Sequence, residues 1–302
     1  MTAKVSGYVA NPMESIFRRD WVEIVELWLR YIPVDNKPGL PPPSPASSLP
    51  SLIEEVEGLK GRKDIPENVP GLRKTIIQEA FFYLQRSAYL LSGAEVHVAH
   101  GLPSWSLSSA YHSAFFCAKG ILGLLGIIWI DIAGKNLLID SWSTLEYKTG
   151  KPVKADYVNV MIVETYRPDQ RNIWELFQRV LRTVRIDEEL LSDNIKRTLK
   201  QLTPKDFSRK RNDIHYRSCR WPFADVSGSL SDKTWMMGIS DNMLGRPDTK
   251  EFPIILAVSL IRMACHMLTD MATFSKTVDG EIAVVNRWLL KNSAYSKQSM
   301  RA

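Results

Sequence analysis

Apolar residues recur along most of this chain at intervals of three and four, the period of helices that bury one face. Between Ser15 and Ile32 they fall at Ile16, Phe17, Val22, Ile24, Val25, Trp28 and Leu29, and Pro33 ends the run. Leu72–Leu91 keeps the rhythm with Ile76, Ile77, Ala80, Phe81, Leu84, Ala88 and Leu91; Gly93, Gly101 and Pro103 then predict a loop. Ser104–Leu125 reads as a second long helix, with Tyr111, Phe115, Ala118 and Leu122 on one stripe. Its small residues (Ala110, Ser113, Ala114, Ala118, Gly120, Gly123) would let another helix approach closely. Asp169 is placed to cap a helix running to about Val184, with Ile173, Leu176, Phe177, Val180 and Leu181 inward. A further helix starts at Asp187 and stops at Thr203-Pro204; Pro253–Phe274 and Glu281–Leu290 complete the set.

Three stretches depart from this period. Lys37–Pro50 holds six prolines and three serines, the composition of a stiff, extended linker. Ile127–Tyr166 carries Trp129, Ile130, Gly134, Gly150 and Pro152 and then the β-leaning run Tyr157–Val163, which predicts an insertion with a small hairpin or extended segments. Cys219–Phe252 is rich in Gly, Ser, Asp and Pro and reads as a long loop region. The expected organisation is a helical arm over 1–36, a linker over 37–50, and a mostly α domain over 51–302 with an irregular, β-containing insertion at about 127–166. The arm should pack on the body, because a lone amphipathic helix has nothing else to cover its apolar face.

Composition narrows the class. The 302 residues are 45% hydrophobic and 24% charged, enough to bury a sizeable core and unlike a disordered, collagenous or disulfide-built chain. Cys117, Cys219 and Cys265 lie far apart, with neither paired nor metal-ligand spacing, so reduced thiols and no metal or cofactor are expected. The N-terminus lacks the apolar run of a signal peptide. Of the two most apolar stretches, Gly120–Ile130 is too short for a span, and Pro253–Leu268 is interrupted by Arg262 and His266. A cytoplasmic protein with no membrane partner is the expectation. There is no Walker-type loop, GxGxxG or GxSxG, which removes support for nucleotide hydrolysis, dinucleotide redox chemistry and serine hydrolysis.

The net charge of +6 matters only through its location. Residues 167–220 hold 14 Lys and Arg against 8 Asp and Glu, while the rest of the chain balances at 25 and 25. Within this window lies Arg209-Lys-Arg-Asn-Asp-Ile-His215-Tyr216. Arginine offers permanently charged planar forks for phosphate oxygens, and histidine exchanges a proton near neutral pH. Together they suit metal-free RNA cleavage, in which a 2′-OH attacks the adjacent phosphate while arginine stabilises the developing charge. On a regular helix Arg211 shares a face with His215, four positions on, whereas Arg209 does not. The competing reading of the same residues is a solvated basic loop whose histidine bonds a helix end.

The segment resembles the motif of the HEPN family, helical ribonucleases and toxins of prokaryotic defence and RNA metabolism: an Arg followed by a polar residue, often Asn, then a His after four to six positions. Arg209 has that spacing to His215, and Arg211 has the Arg-Asn dipeptide. Some members also carry a Tyr two positions after the His, where this chain has Tyr216 one position after. The stretch Leu107-Ser-Ser-Ala-Tyr-His-Ser-Ala-Phe-Phe-Cys-Ala-Lys-Gly-Ile-Leu122 is similar to the long helix that precedes the motif in that family. The resemblance covers about residues 72–275.

It implies an antiparallel helical bundle working as a homodimer, with two Arg/His motifs facing each other, RNA as substrate and no metal. His215 would be the general acid or base, Arg209 or Arg211 the charge clamp, and Asn212 the group orienting phosphate or histidine. His112 and Tyr216 would support them from behind. The basic residues Arg179, Arg182, Arg185, Lys196, Arg197, Lys200, Lys210 and Arg217 would follow the RNA backbone. A protein partner or antitoxin is a further candidate. The alternative functions are a non-catalytic HEPN-like module binding RNA, a nucleotide or a protein, and a helical interaction protein. Among the other candidates, Glu95, His97 and His100 lack the fourth ligand of a metal site, and His266 in its apolar helix reads as a core residue. Trp221 and Trp235, which flank the later loop, read as hydrophobic anchors or as stacking platforms for bases.

Overall fold

A computed structural model describes residues 19–28, 64–65, 72–132, 135–143, 159–165, 167, 169–185, 203, 207, 252–273, 278–280, 282–283 and 285. The described chain is mostly helical. In chain order its elements are β1 (Arg19–Asp20), α1 (Trp21–Trp28), β2 (Asp64–Ile65), α2 (Leu72–Ala99), α3 (Pro103–Leu124), β3 (Ile127–Ile132), β4 (Lys135–Ser143), β5 (Asn159–Thr165), α4 (Gln170–Thr183), β6 (Val184–Arg185) and α5 (Phe252–Ala272).

The centre is the antiparallel hairpin of α2 and α3. The sequence pattern predicts that α2 stops near Leu91, but it continues to Ala99, because Gly93 faces open space and costs the helix only its propensity. The stop comes at Gly101, in the left-handed region at φ +71°, where Gly101 N–H donates to Val98 O and Leu102 N–H to His97 O. This paired closure satisfies the last carbonyls of α2, and Pro103 then opens α3 at a position whose N–H would have no helical partner. The small residues of α3 are used where the helices cross. A Cβ at Gly120 would stand 2.6 Å from Leu84 Cδ2, and one at Gly123 2.7 Å from the Ala80 Cβ. α5 packs across both helices with nearly its whole length buried, from Phe252 to Met271. By length and composition it would suffice to cross a bilayer. His266 departs from the core placement expected for it, since it lies on the exposed side of α5.

The described strands of the insertion, β3, β4 and β5, join β2 from ahead of α2 in a sheet of order β2-β5-β4-β3, all pairs antiparallel. β3 and β4 pair from Ile127↔Asp140 to Ile132↔Lys135, and β5 lies on the other side of β4, with Leu138 opposite Val163. The β4–β5 register shifts between Asp140 and Ser143, where the Asp140 carboxylate accepts from Trp142 N–H at 3.0 Å. Leu137 through Ser143 of β4 are buried on both faces, which ties the sheet to the helices. Trp142 packs edge-on against Trp28 of α1, and the Arg73 guanidinium lies 4.2 Å from its ring centroid while donating to Ser141 O. Gly126 joins α3 to β3 at φ +83°, so close that a Cβ would meet Trp142 at 2.1 Å.

The arm is held at both ends of α1. Trp21 Nε1 donates to the Asp270 carboxylate at 2.9 Å, and buried Trp28 Nε1 donates to Leu124 O at 2.6 Å. β1 pairs in parallel with β6, Arg19 opposite Val184 and Asp20 opposite Arg185, which fastens the start of the arm to the end of α4.

Candidate nucleic-acid interface

α4 is the described part of the basic window. Asp169 caps it as its sequence position predicts, its carboxylate accepting from Asn172 N–H at 2.8 Å. The inward face carries Ile173, Trp174, Leu176, Phe177, Gln178 and Val180, all buried. Arg171, Glu175, Arg179 and Arg182 succeed one another at helical spacing on the outward face, with Arg171 and Arg182 exposed and Arg179 ion-paired with Glu175. Arg185, one residue into β6, continues the basic run along the backbone.

Trp174 is the hub behind this face. Phe207 stacks on it almost in parallel, 4.3 Å between centroids at 11°, and Phe207 in turn packs against Phe252 of α5. On its other side Trp174 Nε1 donates to the Tyr111 hydroxyl at 3.3 Å, and that hydroxyl donates to Gln170 Oε1 at 3.1 Å. Buried Tyr111 belongs to the Ala-Tyr-His-Ser stretch of α3. Its neighbour His112 is half-buried, meets the Tyr111 ring edge-on at 5.6 Å, and donates from Nδ1 to Ser108 O at 2.9 Å. A carbonyl oxygen can only accept, so Nδ1 carries the proton of that bond.

The structure thus brings together Tyr111, His112, Gln170, Trp174 and Phe207, from three separate parts of the sequence. Arg209, Lys210, Arg211, Asn212, His215, Tyr216 and Arg217 lie outside the described residues, as do Lys196, Arg197, Lys200, Trp221 and Trp235. Phe207 is the described residue nearest in sequence to the Arg/His segment, two positions before Arg209.

A second polar cluster, not legible in the sequence, spans the hairpin. Lys119 of α3 donates to the Tyr83 hydroxyl and sits 4.0 Å from the Tyr83 ring centroid. Tyr83 stacks on Phe116 at 5.9 Å and 19°, and the Arg86 guanidinium lies 4.0 Å from the Phe116 centroid. Burial, with the Arg86 charge adding to it against the attraction of Glu79, pulls the Lys119 ammonium down to about 8. Burial also pushes Tyr83 far above the ordinary phenol range, assisted by the charge and hydrogen bond of Glu79. The spacing of Glu79, Tyr83 and Arg86 puts them on one side of α2; only the folded hairpin adds Lys119 and Phe116.

Elsewhere, burial pushes the Glu95 carboxyl up to about 8, and its buried Oε2 has no hydrogen-bond partner. His97 Nδ1 lies 3.3 Å from Ser109 Oγ. Among the described residues no three His, Cys, Asp or Glu are grouped as a metal would need. Comparison with protein-family models, with curated proteins and with solved structures gives no match to this chain.

Proposed function

We propose that this chain is a metal-independent endoribonuclease of HEPN type, a cytoplasmic toxin or defence effector that works as a homodimer. The observation that carries the reading is the stack of Phe207 on Trp174, which is bonded to Tyr111 of α3. It links the helix carrying the Ala-Tyr-His-Ser stretch to the residue two positions before the Arg/His segment. The exposed arginines of α4 support RNA as the substrate class, since fixed positive charge along a helix face attracts a phosphate backbone whatever its sequence.

In this reading His215 moves the proton of the attacking 2′-OH or of the leaving oxygen, and Arg209 or Arg211 holds the phosphate oxygens as charge builds. Asn212 orients the phosphate or the histidine, and His112 and Tyr216 support them from behind.

The test is cleavage of a structured RNA by the full chain in EDTA, compared with His215→Ala and with Arg209→Ala and Arg211→Ala separately. Loss of cleavage with His215→Ala, by a hundredfold or more for a general acid–base group, is expected while the melting temperature holds. Equal cleavage by His215→Ala would sink the reading. Salt-sensitive RNA binding without products would instead favour a non-catalytic module.

A further inference from the structure

The α2–α3 hairpin carries a nucleophile that the ribonuclease reading leaves unused. Lys119 is half-buried, its Nζ held 2.6 Å from the Tyr83 hydroxyl. Among the described residues, the titratable and charged groups acting on it are Tyr83, Glu79 and Arg86, all from α2. We propose that Lys119 is a covalent imine-forming site for small aldehydes and ketones, with the Tyr83 hydroxyl as its proton relay and Glu79 holding that hydroxyl in place.

The chemistry follows from the arrangement. The neutral amine attacks the carbonyl carbon, so a C–N bond forms and the carbonyl oxygen becomes the hydroxyl of a carbinolamine. That oxygen then leaves as water and a C=N bond remains. Both protons of the water originate on the amine nitrogen, and Tyr83, bonded to that nitrogen, passes them across. No oxidant or reductant is needed. A relay must take and give a proton without being lost as phenolate, and the upward shift of Tyr83 keeps it protonated. The nucleophile must be a free amine near neutral pH, and burial of Lys119 at about 8 supplies a fraction of it that an ordinary lysine lacks. The stack of Tyr83 on Phe116 fixes the relay, because neither ring can turn without losing the other.

The test uses the full chain with limiting acetaldehyde and cyanoborohydride, which traps each imine as an ethylated lysine, read by peptide mass mapping. Lys74 is exposed on α2 and serves as the internal reference. At pH 7 Lys119 should label at least about tenfold faster than Lys74, because lowering an amine to about 8 raises its unprotonated fraction above that of an ordinary lysine by more than that factor. The ratio should narrow as the pH rises beyond 9. Tyr83→Phe keeps the ring stack but removes the relay, and should slow Lys119 severalfold while Lys74 is unchanged. Lys119 labelling no faster than Lys74 overturns the site, and an unaltered rate in Tyr83→Phe overturns the relay.

Discussion

The Ser87 hydroxyl donates to the Ser113 carbonyl and the Ser113 hydroxyl donates to the Ser87 carbonyl, each at 2.8 Å, inside the fully buried seam of α2 and α3. Two polar side chains thereby satisfy each other across the seam, where larger residues would hold the helices apart. The same seam brings Gly120 onto Leu84 and Gly123 onto Ala80.

These two glycines should respond differently to one added methyl. At Gly123 the new Cβ would stand 2.7 Å from the Ala80 Cβ and 3.2 Å from its Cα, so only a shift of the helix relieves it. Overpacking of this kind costs about 1–3 kcal/mol, which exceeds the gain of up to about 1 kcal/mol in helix propensity. At Gly120 the closest atoms belong to the Leu84 side chain, Cδ2 at 2.6 Å and Cγ at 2.7 Å, with the Ala80 carbonyl oxygen farther off at 3.3 Å, so a turn of Leu84 relieves most of the clash. Urea unfolding should show Gly123→Ala as clearly destabilised and Gly120→Ala as the milder of the two. The reverse order would mean that the seam yields at Ala80.

The arm should be part of the cooperative fold. Trp28 is completely buried, bonds Leu124 O and packs on Trp142. Trp28→Ala should cost about 3–5 kcal/mol, and Trp28→Phe, which keeps a ring but removes the donor, about 1–2 kcal/mol. A chain in which Trp28→Ala unfolds at the wild-type urea concentration would have an arm energetically separate from the body.

Phe207 offers a separation of stability from activity. Phe207→Leu keeps apolar volume but removes the parallel stack on Trp174, at about 0.5–1.5 kcal/mol. If that stack also sets the start of the Arg/His segment, RNA cleavage should fall by more than tenfold at temperatures where the variant remains folded. Cleavage that falls only in step with the folded fraction would reduce Phe207 to a core residue.

The helices were legible wherever one face is buried and the other wet. α4 shows this best: the Asp169 cap and the inward Ile173, Leu176, Phe177 and Val180 follow from spacing, whereas buried Trp174 and Gln178 do not and Leu181 is only half-buried. α3 was legible within a residue at each end, and its small residues correctly signalled a close neighbour. β4 was not legible, because Leu137 to Ser143 are buried on both faces and leave no alternation of apolar and polar residues to read. The pairing of β5 with Asp64–Ile65, and the meeting of Tyr111 with Trp174 and Phe207, are contacts between distant segments that no local period encodes. The Lys119 cluster was hidden for the same reason.

Glu95 should make the fold less stable as the solution turns alkaline. Its carboxyl is pushed up to about 8 by burial, and its Oε2 has no hydrogen-bond partner to stabilise a charge. In the unfolded chain the same group ionises near about 4.3. Below that pH both states carry the proton and the group contributes no pH dependence. Between the two values the folded chain keeps a proton that the unfolded chain releases, so stability falls steadily as pH rises; above about 8 both are ionised and the loss is complete. Glu95→Gln, neutral at every pH, removes the release. Chemical denaturation at pH 5 and pH 8.5 should therefore show a smaller drop for Glu95→Gln than for the wild type, with the variant the more stable at pH 8.5. A drop of equal size in both proteins would place the ionised Glu95 carboxylate in contact with water or a cation.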